Sequence, residues 1–227
     1  MLKPQKKVKI SKKEIKEDKF VEAALNAKAY VEENYQKVTI ITAVIFGIVI
    51  LFMGYRYVHN QNVERSSAIL GEAQLEYHNL NYPKAKEFIS RLMDEYAGTD
   101  AAEQGQFLLA NLLFQEKDYE GAKTNFKEFI DTYDGSDILV ASGYAGYAAC
   151  LETEDQFAEA GKYYEMAQKK DPGFVEAANY LYLAALNYER AGDNAKAQKL
   201  FEKIVEDYDS SNRKDDAKTQ LVLLANK

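Results

Sequence analysis

Two kinds of hydrophobic pattern divide the chain. Between Val38 and Tyr55 no residue is charged and most are strongly apolar, with Lys37 just before this stretch and Arg56 just after it. As a helix, these 18 residues would span about 27 Å, which matches the hydrocarbon thickness of a bilayer. The pattern predicts a transmembrane helix over residues 38–58. From residue 59 onward, apolar positions recur every three or four residues among charged ones, which is typical of amphipathic helices.

A helix–turn–helix pattern repeats four times after the apolar stretch. The turn residues Tyr82, Tyr119, Phe157 and Asn194 lie 37, 38 and 37 residues apart. A period of this length indicates stacked helix pairs, each of which buries its apolar face against its neighbours. An apolar stripe over residues 215–225 predicts a terminal capping helix. The predicted fold is therefore all-α: one transmembrane helix, then an α-solenoid of about four helix pairs plus a C-terminal capping helix over residues 59–227.

The repeats resemble the tetratricopeptide repeat. The third unit carries the likeness best, at Tyr144, Tyr147, Ala148, Leu151, Phe157, Ala160, Tyr164, Ala167 and Pro172. Alanines at equivalent places in units two to four, Ala110, Ala148 and Ala185, are expected where the two helices of a pair cross closely. Three aspartates, Asp118, Asp155 and Asp193, stand at the tight turns, where a short acceptor is expected to cap the next helix.

An array of this kind presents a groove lined by the first helix of each pair. Nine residues occupy the groove-facing positions: Phe107, Asn111, Phe114, Ala145, Ala149, Glu152, Tyr182, Leu186 and Glu189. Relatives that grip a peptide's C-terminal carboxylate use lysine and asparagine there, whereas Phe107 replaces the lysine and Ala149 the second asparagine. We therefore expect extended apolar segments or another helix as ligands. The alternative is that some of these residues belong to the core.

Charge is distributed unevenly along the chain. Residues 1–37 hold ten lysines and six acidic residues, a net charge of +4, whereas the whole chain carries −7 and the remainder therefore −11. The positive-inside rule predicts that residues 1–37 are cytoplasmic and that the repeat domain lies outside, in the periplasm of a bacterium. Five residues are expected at the membrane interfaces: Tyr35, Lys37, Tyr55, Arg56 and Tyr57.

The basic head, residues 1–37, has helical signals of its own. Ser11 and Glu14 match a capping box, and an apolar face follows at Phe20, Ala24, Ala27, Val31 and Tyr35. Two interpretations stay open. The helix either lies on the inner leaflet with its lysines near anionic headgroups or docks on the cytoplasmic loops of a partner.

Nothing in the sequence points to catalysis. There is no phosphate-binding glycine loop, no nucleophile elbow and no metal-ligand spacing, so neither an enzyme nor a cofactor is predicted. The single cysteine, Cys150, lies among alanines and is expected to be buried, while His78 is expected on the surface or in packing. The acidic body would repel phosphates, which argues against nucleic acid as a partner.

Polar and aromatic residues flank the apolar stretch, with Glu33 and Asn34 before it and Gly54, Arg56 and Tyr57 after it. At these positions the region resembles the ancillary subunit of the bacterial SecYEG translocon. The resemblance implies a single-pass inner-membrane protein that hands emerging chains to periplasmic folding factors, with translocon subunits, chaperones or nascent chains as partners. The alternative is a scaffold for envelope assembly or cell division with one fixed partner; an organelle receptor fits less well.

Overall fold

The computed structural model describes residues 12–173 and 175–226, with side chains from residue 19 onward. The predicted capping box at Ser11 and Glu14 lies outside the described side chains. By its contacts the chain divides into two compact units, Met1–His59 and Asn60–Lys227.

Two long helices account for the described part of the first unit. Helix α1 covers Lys12–Glu33, and α2 covers Tyr35–His78 and so contributes to both units. The predicted span lies within α2, which continues past residue 58 because no proline or turn signal interrupts it. The apolar stretch thus marks the candidate span but not the end of the helix.

The apolar stretch of α2 packs against nothing within the described structure. Its large side chains from Ile40 to Met53 are between 46 % and 75 % exposed, the extremes being Val49 and Leu51. Among the described helices, α2 alone is long and apolar enough to cross a membrane, judged by length and composition.

The second unit is a stack of antiparallel helix pairs. After the C-terminal part of α2 come α3 (Tyr82–Glu95), α4 (Asp100–Gln115), α5 (Tyr119–Thr132), α6 (Asp137–Thr153), α7 (Phe157–Lys170), α8 (Ala177–Arg190), α9 (Asn194–Asp207) and α10 (Arg213–Ala225). The second helices α3, α5, α7 and α9 begin at the four turn residues of the sequence pattern. The all-α array is confirmed, and the described residues contain no strand.

Small residues set how closely the helices approach. The predicted crossing alanines of the first helices, Ala110, Ala148 and Ala185, are all completely buried. Gly143 shows how tight the packing between pairs is, since a Cβ there would lie 2.8 Å from both Ile130 Cγ2 and Phe129 Cδ1. Such contacts exclude larger side chains.

The four intra-pair turns share one backbone geometry. Two residues ahead of each second helix the chain adopts a positive φ, at Leu80 (60°), Lys117 (67°), Asp155 (58°) and Gly192 (85°). The following residue is the N-cap.

Two of the three predicted aspartate caps are confirmed. Asp118 and Asp193 each accept a backbone N–H bond of 3.0 Å, from Gly121 and Lys196 respectively. The prediction for Asp155 is wrong, because this residue occupies the positive-φ position and Gln156 is the N-cap, without a side-chain capping bond. In the third turn the acid stands one residue earlier relative to the helix than in the other two.

Candidate protein-binding groove

The first helices α4, α6 and α8 carry the nine predicted groove residues in one register, three to a helix at spacings of four and three. The trios are Phe107, Asn111 and Phe114; Ala145, Ala149 and Glu152; and Tyr182, Leu186 and Glu189. All nine are half-buried, the condition expected of a face that is neither core nor fully solvated. We call these nine residues the groove face.

A cavity of about 400 Å³ opens at the N-terminal end of the groove face, and we call it the N-terminal cavity. It is lined by Gln74, Tyr77 and His78 of α2, Gln104, Phe107, Leu108 and Asn111 of α4, and Leu139 of α6. No lysine, arginine, aspartate or glutamate lines this cavity. Aromatic, aliphatic and amide groups suit an uncharged segment, because amides can pair with both N–H and C=O of a peptide backbone.

Sequence reasoning missed Gln74 and Tyr77. They stand 37 residues before Asn111 and Phe114, which is one repeat period, and so occupy the equivalent groove positions on α2. The leading helix of the first repeat has no start signal of its own, because it continues from the apolar stretch. The period itself was the signal that could have found both residues.

Two aromatic members of the groove face are partly structural. The Phe107 ring lies 5.1 Å from the Phe129 ring and 5.9 Å from the Phe126 ring, centroid to centroid. The Phe114 ring lies 5.2 Å from that of Tyr119. Both side chains therefore pack their own helix pair together and offer a ligand only part of their surface.

Helix α10 covers part of the C-terminal end of the groove face. The Arg213 guanidinium lies 4.9 Å from the Tyr182 ring centroid, and Gln220 Nε2 donates a weak 3.4 Å bond to the Tyr182 hydroxyl. Beside this contact, Leu186, Glu189, Arg190 and Gln220 line a cavity of about 370 Å³. Tyr182, the first of the three groove positions of α8, is thus in contact with the capping helix.

Glu152 in the middle of the groove face is held by neighbouring helices. Its carboxylate accepts a hydrogen bond from Nδ2 of Asn187, a residue of α8 that is 1 % exposed and absent from the sequence prediction. Burial raises the pKa of Tyr164 on α7, and the adjacent Glu152 carboxylate raises it further. Glu152 is thus bonded to Asn187 of α8 and lies beside Tyr164 of α7.

A larger cavity of about 770 Å³ lies at the α7–α8 and α9–α10 connections, and none of the nine groove-face residues lines it. Its Arg213 already bonds Asn179 at 2.8 Å and Asp216 at 2.9 Å. The guanidinium of Arg213 is therefore already bonded within the protein.

The described residues contain no group of three or more His, Cys, Asp and Glu side chains that could hold a metal ion. Cys150 is fully buried, and burial raises the pKa of its thiol to about 12. A thiol in such surroundings is a packing group rather than a nucleophile.

Two protein families with tetratricopeptide repeats match this chain. The tetratricopeptide repeat-like domain family matches residues 28–174, and a second tetratricopeptide repeat family matches residues 180–211. No curated protein matches the chain significantly. Among solved structures, the crystal structure of YrrB, described as a TPR protein with an unusual peptide-binding site, is 18 % identical. The alignment covers 62 % of this chain and 68 % of that one, with a TM-score of 0.49. Tetratricopeptide repeats are typically protein-interaction scaffolds, and this chain belongs to the tetratricopeptide repeat-like domain family.

Proposed function

We propose that the protein is a membrane-tethered adaptor that binds other polypeptides along the groove face and does not transform them. The observation that carries this proposal is the N-terminal cavity, which the first helices of three successive repeats line with aromatic, aliphatic and amide side chains and one histidine, His78. A site of this chemistry holds a peptide by shape and backbone hydrogen bonds. It offers no group for acid–base or nucleophilic chemistry other than His78.

The apolar stretch of α2 is the proposed tether. Residues 38–55 expose large aliphatic side chains along their whole length, and no folded part of the described chain covers them. Exposed apolar area of this extent is unfavourable in water by about 25 cal/mol per Å². The family match begins at residue 28 and so includes this stretch together with the first repeats.

The lysine distribution favours an orientation with residues 1–37 in the cytoplasm and the repeats in the periplasm. Protease added to spheroplasts should then degrade the repeat domain while the basic head stays protected. Protection of the repeats until the cells are lysed would contradict this orientation.

The partner that we favour is the bacterial Sec translocon with the chains that emerge from it. Support comes from the residues around the apolar stretch, at Glu33, Asn34, Gly54, Arg56 and Tyr57, which resemble those of the translocon's ancillary subunit. The second candidate is an envelope scaffold with one fixed partner. Phe107 and Phe114, whose rings are held by neighbouring aromatic rings, would suit a single well-defined helix equally well.

Photocrosslinking separates these candidates. A benzophenone amino acid at Gln104 or Leu108 would sit at the N-terminal cavity, and the same probe at Glu120, whose side chain is 76 % exposed on α5, is the matched control. We expect adducts with translocon subunits or nascent secreted chains from the cavity positions only. One stoichiometric envelope protein would favour the scaffold instead. Equal adducts from cavity and control positions would contradict binding at the groove face.

A further inference from the structure

We propose that Glu152 determines the specificity of the groove face, as a fixed carboxylate that receives a lysine or arginine side chain of the bound polypeptide. The inference rests on the proposed function, because Glu152 belongs to the same face. Its chemistry is the reverse of a carboxylate clamp, in which a cation on the repeat meets an anion on the ligand.

The position of Glu152 is suited to meeting a ligand. It stands 38 residues after Phe114 and 37 before Glu189, so it holds the same register as residues at either end of the groove face. The other two groove positions of α6 are Ala145 and Ala149. Glu152 is therefore the long side chain on the part of α6 that faces the groove, and the alanines leave space beside it.

Asn187 preorganises the carboxylate. Its Nδ2 donates both to Glu152 and, over 2.9 Å, to the backbone oxygen of Leu183. Its Oδ1 is buried and has no hydrogen-bond partner among the described residues. A buried acceptor without a partner costs about 1–3 kcal/mol, so stability by itself does not favour this amide. The buried Asn187 amide instead fixes the orientation of the half-buried Glu152 carboxylate, as a binding group needs.

No lysine or arginine of the described chain forms an ion pair with Glu152. Its donor, the Asn187 amide, and the adjacent Tyr164 hydroxyl are both neutral, and Glu152 forms none of the ion pairs found in the described structure. Arg190 on α8 instead stacks over the Phe157 ring, 5.6 Å from its centroid. By contrast, Glu154, two residues on, pairs with Lys123 at 2.6 Å. Glu152 is thus a partly buried carboxylate without an ion-pair partner among the described residues, a setting in which a cationic ligand group is favoured.

Lysine and arginine fit this place better than a small cation. Their long methylene stems can pack on the methyl groups of Ala145 and Ala149 while the charged end reaches the carboxylate. The N-terminal cavity, one repeat away, is lined by no acidic, lysine or arginine side chain and accepts the apolar part of the same segment. The ligand that this surface fits is an extended segment in which apolar residues accompany a basic one.

A peptide library tests the inference. Random decapeptides with blocked termini would be selected on the full-length protein in nanodiscs, and enriched sequences resynthesised with norleucine in place of the basic residue. We expect Lys and Arg to be enriched and Glu152→Gln to weaken binding of the basic peptide about tenfold, a loss typical of a hydrogen bond to a charged group. Binding of the norleucine peptide should not change, since glutamine still accepts the Asn187 bond.

Glu154→Gln is the matched control, because it removes the same charge two residues away from a group that already has a partner. It should leave the affinity of both peptides unaltered. Selected peptides without basic enrichment, or equal losses in the two variants, would overturn the role of Glu152 while leaving the groove function in place. Failure to select any peptide would overturn both. The enrichment on the unmodified protein decides the matter even where a variant folds poorly.

Discussion

Asp155 adopts a φ of 58° at the turn position that Gly192 occupies one repeat later with a φ of 85°. Leu80 and Lys117 hold the same position in the first two repeats, also with positive φ. The left-handed conformation is therefore a property of this turn, which must reverse the chain within a few residues. Only the fourth repeat uses glycine, the residue that adopts this conformation at the lowest cost.

Gly192→Ala should lower the free energy of unfolding by about 1–2 kcal/mol, the cost of a left-handed conformation for a residue with a Cβ. No atom lies within 4 Å of the added methyl group, so the effect would be purely conformational. The control is Gly71→Ala, an exposed site inside α2 that is equally open, where alanine should raise stability by about 0.5–1 kcal/mol. Urea unfolding of the detergent-solubilised protein measures both, and a loss at both positions would contradict the account.

Gln156→Asp should stabilise the protein by about 1 kcal/mol, because it supplies the N-cap acceptor that α7 lacks. Asp118 and Asp193 show the geometry that the new carboxylate would adopt. The converse change, Asp118→Ala, should cost about 1 kcal/mol. Thermal unfolding of the two variants compares them directly, and an unchanged midpoint for Gln156→Asp would mean that this turn cannot present a side-chain cap.

Glu165→Gln should weaken the junction of α7, α8 and α9 in a pH-dependent way. Burial acts to raise the pKa of Glu165, but hydrogen bonds from Lys196 and Tyr188 outweigh it and hold the pKa below its usual value. Burial likewise raises the pKa of Tyr188 to about 12, so its hydroxyl stays a donor. A lowered native pKa stabilises the fold above the unfolded-state pKa of about 4.3, and this gain is lost as the pH falls through the native value.

We therefore expect Glu165→Gln to cost about 1–2 kcal/mol at pH 7 and progressively less below about pH 4.3. Urea unfolding curves between pH 7 and pH 3.5 give the difference in free energy of unfolding between the variant and the unmodified protein. Glu95→Gln is the control, because its bond to Arg91 joins two side chains that are each 53 % exposed and should contribute less than about 0.5 kcal/mol. A difference that stays constant with pH would show that the ion pair is not its source.

Cys150 should resist iodoacetamide at pH 8 in the native protein. Its thiol is inaccessible to the reagent. Because burial raises the pKa of the thiol to about 12, little of it is present as the reactive thiolate at pH 8. Labelling should be at least about a hundredfold slower than in urea. In a Gln104→Cys variant, where the new thiol lines the N-terminal cavity, one site should label rapidly under native conditions. Rapid native labelling of Cys150 itself would mean that the contact between α5 and α6 opens readily.

The stacked helix pairs could be predicted from the repeat period of the sequence, because the turns and helix crossings depend on local chemistry. Alanine at a crossing point and a reversing turn are recognisable wherever they stand, and the starts of α3, α5, α7 and α9 followed from four turn residues. The same period of 37 residues would also have identified Gln74 as the position equivalent to Asn111. Even the wrong cap could have been avoided by counting, since Asp118 and Asp193 directly precede their helices and Asp155 does not.

Tertiary structure alone decided what covers each position of the groove face. Helical register places Glu152 and Tyr182 on that face, but their partners come from residues far along the chain: Asn187 lies 35 positions from Glu152, and Gln220 lies 38 from Tyr182. Such contacts depend on how one helix pair stacks on the next, which the hydrophobic pattern leaves undetermined because it specifies only which side of a helix is apolar. The chain sequence thus defines the faces of this protein, and the packing between its repeats defines the chemistry those faces present.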